Sequence, residues 1–345
     1  MVPQVIQEWS HSSTTAEASG AVALGDTLMF VNTNEDEVLR LYSRYPGGTC
    51  AAPVYSLDVR SNLGTSGGDP VDLESAMKMT EGSDLRIYWL GSMSNSSSGT
   101  LRPNRDRIFA TRVDGDGTGS PPYTLTYVGR YDHLREDLIA WDSGNLHGLG
   151  ADYFGLAASA ADGVSPKLAN GFNAEGLTLA PDGVTAYIGF RTPLVAGSGP
   201  TTSTSPRDHA LIVPLLNLPG LVTGSPTPGP GAARFGAPIV LDLGGRGIRS
   251  IDYTFAGQYV ITAGPIDAVS NPPLGPASFR LFTWSGDPLT APLGRATTFA
   301  STYSPEACLL PNSPIVDATV AQFLSDDGAA TCFRSITCKV GAVGN

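Results

Sequence analysis

The sequence predicts an all-β fold: a β-propeller of four-stranded antiparallel blades, five in number with six as the alternative, closed by an N-terminal strand that joins the last blade. Many short β-rich runs joined by turns account for 41 glycines and 27 prolines in a chain that is still 41% hydrophobic. Five stretches also share one form, a long charged residue after a small or apolar one, with small or apolar residues following. They are Ala16-Glu17-Ala18-Ser19, Leu73-Glu74-Ser75-Ala76, Ala174-Glu175-Gly176-Leu177, Ile248-Arg249-Ser250-Ile251 and Pro305-Glu306-Ala307-Cys308. Strand-rich units recurring at roughly 40–50 residues or more suggest blades whose first strands line a central channel.

Blade one is expected at Ala18–Leu24, Thr27–Asn32, Val38–Ser43 and Val54–Val59, with Gly25-Asp26 and Pro46-Gly47-Gly48 as turns. Blade two follows at Leu73–Met79, Arg86–Ser92, Arg107–Val113 and Tyr123–Arg130. Residues 131–172 break the rhythm. Leu134, Leu138 and Trp141 stand at helical spacing, so Asp132–Trp141 reads as a short amphipathic helix, with a second at Ala151–Ala161, in an insertion that packs on one face, with a lid as the alternative to packing alone. Blade three has a hairpin, Gly176–Ala180 and Thr185–Phe190 around Pro181-Asp182-Gly183, then Ala210–Leu216 and Ala237–Leu243. The runs Gly197–Pro206 and Pro219–Pro230 read as exposed loops. Blade four is expected at Arg249–Thr254, Gln258–Ala263, Phe279–Trp284 and Thr297–Tyr303, and blade five at Glu306–Leu310, Thr319–Ser325 and Cys332–Lys339. Its fourth strand comes from Gln4–Ser10, which removes the exposed edges of an open sheet.

Residues 1–345 thus form a single propeller domain. A net charge of −11 without a Lys/Arg cluster weighs against nucleic acid or anionic membrane as partner. No apolar run approaches the ~20 residues that span a bilayer. No signal peptide is visible, and Met1-Val2-Pro3-Gln4 reads as a start placed on a trimmed mature chain. The cysteines, Cys50, Cys308, Cys332 and Cys338, form no Cys-x-x-Cys pair, which excludes a zinc site of that kind. Three pairings are open to them; the expectation is at least one disulfide and a periplasmic or secreted monomer.

Asn173-Ala-Glu-Gly-Leu-Thr-Leu-Ala-Pro-Asp-Gly183, Tyr187-Ile-Gly-Phe-Arg-Thr-Pro193, Leu211-Ile-Val-Pro-Leu-Leu-Asn217 and Gly245-Arg-Gly-Ile-Arg-Ser-Ile251 resemble a bacterial propeller family of unknown function, as do Asn104-Arg105-Asp106-Arg107 and Glu17-Ala-Ser-Gly20. That family is in turn similar to esterase-like, phytase-related propellers through the Glu-Gly-Leu…Pro-Asp-Gly strand pair. The resemblance implies the fold and brings no catalytic residues with it.

The charged positions carry the functional expectation. Glu17, Glu74, Glu175 and Glu306 would converge with Arg249 on one axis. Two unit charges ~6 Å apart at an effective dielectric of ~20 repel by about 3 kcal/mol, so four carboxylates cannot all stay ionised unaided. Raised pKa values, Arg249 or a bound cation resolve this, and calcium suits carboxylate oxygens. Metal ligands would then be Glu17, Glu74, Glu175 and Glu306, with Asp72, Asn173 and Asp69 close by. Glu175, Glu306 and Arg249 would act in catalysis, and Arg105, Arg191, Asp72 and Asn173 would bind a small anionic or ester substrate. The expected activity is metal-assisted hydrolysis of a phosphoester, ester or lactone. The alternatives are a ring that only holds the blades in register, and a non-catalytic propeller that binds protein or glycan through its loops. Asp114-x-Asp116-x-Thr118 reads as a hairpin turn, and Gly64-Thr65-Ser66-Gly67-Gly68 lacks the strand–helix context of a nucleophile elbow. Asn95-Ser96-Ser97 is a formal glycosylation sequon, and His11, His133, His147 and His209 show no catalytic spacing.

Overall fold

A computed structural model describes residues 5–12, 17–65, 68–223, 227–254, 257–267, 278–300, 302–326 and 331–344. Twenty strands form five four-stranded antiparallel sheets, so the propeller has five blades. From the axis outward, blade one is β2 (Gly20–Leu24), β3 (Leu28–Asn32), β4 (Val38–Ser43) and β5 (Tyr55–Asp58). Blade two is β6 (Leu73–Glu81), β7 (Asp84–Gly91), β8 (Ile108–Asp114) and β9 (Thr124–Tyr131). Blade three is β10 (Asn173–Leu179), β11 (Ala186–Thr192), β12 (Ala210–Leu215) and β13 (Ile239–Leu241). Blade four is β14 (Gly247–Thr254), β15 (Gln258–Gly264), β16 (Arg280–Trp284) and β17 (Leu293–Thr298). Blade five is β18 (Pro305–Leu309), β19 (Val320–Ser325), β20 (Cys332–Lys339) and, from the other end of the chain, β1 (Val5–Ser12).

Each blade buries both faces, and the five hydrophobic clusters lie between neighbouring blades. This explains why strands such as β11 and β12 are buried along their whole length rather than alternating. Closure of the ring has three parts. The β1–β20 ladder runs from Val5↔Cys338 to Ser12↔Cys332. His11 stacks on Phe333 and meets Ser335 Oγ at 2.9 Å through Nε2. A disulfide joins Cys50, in the β4–β5 connection, to Cys332, with Cα atoms 5.6 Å apart. The bridge therefore ties blade one to the closing blade, while Cys308 and Cys338 are buried free thiols.

Five elements differ from expectation. The outer strand of blade four is Leu293–Thr298 rather than Thr297–Tyr303, because Arg295 is held by Thr283 Oγ1 at 2.8 Å and by Asp317 at 3.1 Å. The first residues of the expected loop Pro219–Pro230 lie in α4 (Leu218–Val222), whose Leu218, Leu221 and Val222 are buried against blade two. The helices of the insertion are shorter or shifted, at α2 (Leu134–Ser143) and α3 (Leu156–Ser159). A one-turn helix α1 (Arg60–Leu63) precedes them in blade one's exit loop. The insertion wedges between blades two and three through Leu134, Leu138, Trp141, Phe154 and Leu156. Among the described residues no helix is long and apolar enough to cross a membrane.

Candidate functional site

In four of the five inner strands the ladder to the next strand slips by one residue near its start. The slips fall between Leu73 and Ser75, Ala174 and Gly176, Ile248 and Ser250, and Pro305 and Ala307. The residues left over are Glu74, Glu175, Arg249 and Glu306. A β-bulge leaves its extra residue unpaired and re-aims its side chain. Here it turns four long charged side chains into the channel. The residue after each is small, and Gly176 shows why: a Cβ there would stand 2.9 Å from Ile251 Cγ2 and 3.1 Å from Gly189 Cα.

Blade one departs from this pattern. β2 pairs with β3 without interruption from Gly20 to Leu24, and Ser19, not Glu17, lines the central cavity. Further along the inner strands Ala21, Ala76, Leu177 and Cys308 line the opposite mouth, and two residues back from each stand Ser19, Glu74, Glu175 and Glu306. Glu17 is therefore one strand repeat too early, at the position equivalent to Asp72. Burial, followed by the charges of Asp326 and Glu35, pushes it up to about 7.

The cavity measures ≈ 270 Å³. Its wall contains Glu74, Glu175, Arg249 and Glu306 together with Asp72, Arg105, Asn173 and Arg191, so eight of the nine sequence-derived site residues meet in one place. Asp69 lies outside it, paired to Arg102 on the surface. Sequence reasoning missed Ser19, Asn34, Ser94, Ser97, Lys167 and Asp326. Pro166 and Lys167 come from the end of the insertion, so this segment walls the site as well as packing.

Two arginines answer two carboxylates. Arg249 Nε donates to Glu306 Oε2 at 2.9 Å, its Nη2 meets Glu306 Oε1, and its Nε lies 3.1 Å from Glu175 Oε2. Arg191 Nη1 donates to Glu175 Oε1 at 2.9 Å, and Asn173 Nδ2 donates to the same oxygen at 2.8 Å. Arg191 is itself fixed by the Ile266 carbonyl at 2.7 Å. Beside this group Arg105 Nη1 sits 2.7 Å from Asp72 Oδ2, which also accepts from Ser92 Oγ at 2.6 Å. Burial works against the charge on Arg249, yet Glu175, Glu306 and Glu74 hold it above the ordinary guanidinium value. Burial raises Glu306 against the pull of Arg249, and raises Asp72 against that of Arg105.

Glu74 is the exception. Its carboxyl makes no hydrogen bond or ion pair among the described residues, although it lines the cavity. Burial first, then the charges of Glu175, Asp72 and Glu306, push it well above the usual carboxylate range. The ring holds three carboxyl groups and two guanidiniums, Arg191 and Arg249. Glu74 is the one of the three without an arginine within ion-pair distance among the described residues.

Backbone strain gathers at the same end of blade two. Asp72 (φ 60°) and Met93 (φ 56°) are non-glycine residues in the left-handed region. Each conformation costs on the order of 1–3 kcal/mol and persists only where surrounding bonds impose it. Ser92 N–H donating to Asp72 O and Met93 N–H donating to Arg105 O, both at 2.9 Å, do so here.

The arrangement does not fit calcium. Such an ion takes six to eight oxygens, whereas Arg249 stands among these carboxylates, and no group of three or more His, Cys, Asp or Glu among the described residues is placed to hold a metal. Of the other motifs, only Ser97 of the sequon reaches the cavity wall among the described residues. Asn95 is buried, donating to the Ala161 and Val164 carbonyls, so its sequon is closed. Asp116 Oδ1 accepts from the Thr118 N–H and hydroxyl in a hairpin turn. His147 bonds Asp142 inside the insertion and His209 bonds Asp208. Ser66 and Gly67 lie outside the described residues.

No protein-family model matches the chain, and no curated protein matches it in sequence. Among solved structures it is similar to a Myxococcus xanthus glutaminyl cyclase at 11% identity and TM-score 0.42, covering 98% of this chain and 97% of that one. A thermostable family-43 glycoside hydrolase gives 9% identity and TM-score 0.42, covering 95% and 90%. The WD40 repeats of RRP9 give 9% and 0.38, covering 99% and 66%. Likeness at this level carries no argument about activity.

Proposed function

We propose that the central cavity is an acid–base site for hydrolysis of a small anionic ester or lactone, with Glu74 as the proton donor. One observation carries this reading: Glu74 faces the cavity as the carboxyl left over after Arg191 and Arg249 have engaged Glu175 and Glu306. A carboxyl held neutral near pH 7 is what a general acid needs. Water adds to the ester carbonyl, the bond to the leaving oxygen breaks, Glu74 protonates that oxygen, and the proton lost by the water returns to Glu74. Lys167 makes no ion pair among the described residues and lines the cavity, so it suits the anionic end of the substrate. Arg105 and Asn173 line the same space.

Calcium has no part in this scheme. The test is a panel of phosphoesters, esters and lactones assayed with wild type and Glu74→Gln, with and without EDTA. The reading expects one substrate class turned over, a loss of at least about 100-fold in Glu74→Gln, and no effect of EDTA. Turnover that survives Glu74→Gln overturns it, and turnover abolished by EDTA would restore a metal site.

The chain is proposed to act as a monomer, and to act outside the cytoplasm, the latter supported by the Cys50–Cys332 bridge. Thiol titration of denatured, unreduced protein from its native source should then find only Cys308 and Cys338 free.

A further inference from the structure

The opposite mouth of the channel holds a second cavity of ≈ 130 Å³ that shares no wall residue with the first. It is formed by the hairpin ends of the same inner strands. Four of them contribute mainly apolar groups, such as Ala23, Ala76, Leu179 and Leu309. β14 differs. It presents Asp252 and Thr254, two residues apart and so on one face of the strand. Asp252 Oδ2 and Thr254 Oγ1 are both buried, and among the described residues neither has a hydrogen-bond partner. Thr254 is 2% exposed.

Orphaned buried polar atoms cost free energy unless something satisfies them. Two of them side by side on an apolar wall are the complement of a ligand with an apolar body and one polar head. A cavity of about 150 Å³ accepts benzene, so the body here is a single ring or a short branched chain. The head follows from the charges around it. Lys78 lines the same cavity, its Nζ donating to the Ala23 carbonyl at 2.7 Å, and it disfavours a cation. Burial pushes Asp252 up to about 8 against the opposing pull of Ser250 and the Cys308 backbone, so near neutral pH the carboxyl offers a donor as well as an acceptor and suits a neutral partner. A hydroxyl both donates and accepts, and meets Asp252 and Thr254 in either role.

We propose that this mouth is a binding site for a small neutral alcohol, with Asp252 and Thr254 holding its hydroxyl. The site is separate from the acid–base cavity and does not depend on activity there.

Calorimetric titration of the full chain with benzyl alcohol and with toluene tests it. Wild type is expected to bind benzyl alcohol about tenfold more tightly than toluene, as one added buried hydrogen bond would give. Thr254→Val should erase that preference, and Asp252→Leu should do so too if it folds. Ala23→Phe, which fills the cavity, should abolish binding of both, and Glu74→Gln should leave both unchanged. Equal affinity for the two ligands, a preference that survives Thr254→Val, or binding that survives Ala23→Phe would each overturn the proposal, as would the absence of binding by wild type.

Discussion

At the scale of single residues, the ring is an exercise in charge matching. Arg249 bridges Glu175 and Glu306, and Arg191 completes Glu175. Removing a partner from a buried pair costs about 3–5 kcal/mol because a bare charge is left behind. Arg249→Met should therefore lower stability by about that much in denaturant titrations. Glu74→Gln should behave oppositely to Arg249→Met. The folded-state pKa of Glu74 is raised, so the stability it allows is full below the ordinary carboxylate value and is lost as pH rises through the folded value. Glu74→Gln should match wild type in melting temperature near pH 4 and exceed it at pH 8. A wild type that gains relative to the variant with rising pH would refute the assignment. The ring was legible because bulge residues here carry charge and are followed by a small residue, as in Glu74-Ser75 and Glu306-Ala307. Glu17-Ala18 shows the same signature without a bulge. Side-chain direction repeats every two residues along a strand, so a shift of two positions leaves the pattern intact. That is why Ser19 was missed.

Among the elements, the strands with continuous apolar runs and Gly-containing turns, such as β3, β7 and β11, stood where the sequence placed them. β17 did not, because Leu-Gly-Arg-Ala-Thr-Thr has little β character and its place is fixed by Arg295 and by the β16 ladder. The closing clasp joins β1, β20 and the Cys50–Cys332 bridge, and its pairing was one of three that sequence left open. Cys332→Ser should cost about 2–4 kcal/mol, measured by denaturation without reductant. Burial lowers His11 to about 4, so the folded clasp holds a neutral imidazole. Its contribution is present above the ordinary histidine value and is lost as pH falls from about 6.5 toward 4. His11→Gln should flatten the acid side of the melting profile, and an unchanged profile would remove His11 from the clasp's pH response.

The whole molecule is a ring whose five inner strands carry different chemistry at their two ends. Bulges deliver charge at one mouth, and unbulged hairpin ends leave an apolar cavity with two polar orphans at the other. The five-blade ring follows from the strand count and from closure by β1. The walls added by residues 131–172 could not be read from sequence, since Pro166 and Lys167 reach the cavity only through the packing of α2 and α3 against blades two and three. Glu74 as proton donor requires that its carboxyl, raised by burial and by the charges of Glu175, Asp72 and Glu306, still holds its proton at pH 7. Infrared difference spectroscopy at pH 7, wild type minus Glu74→Gln, tests this directly. The account predicts the carbonyl band of one protonated carboxylic acid. A carboxylate band in its place, with no protonated carbonyl, would contradict it.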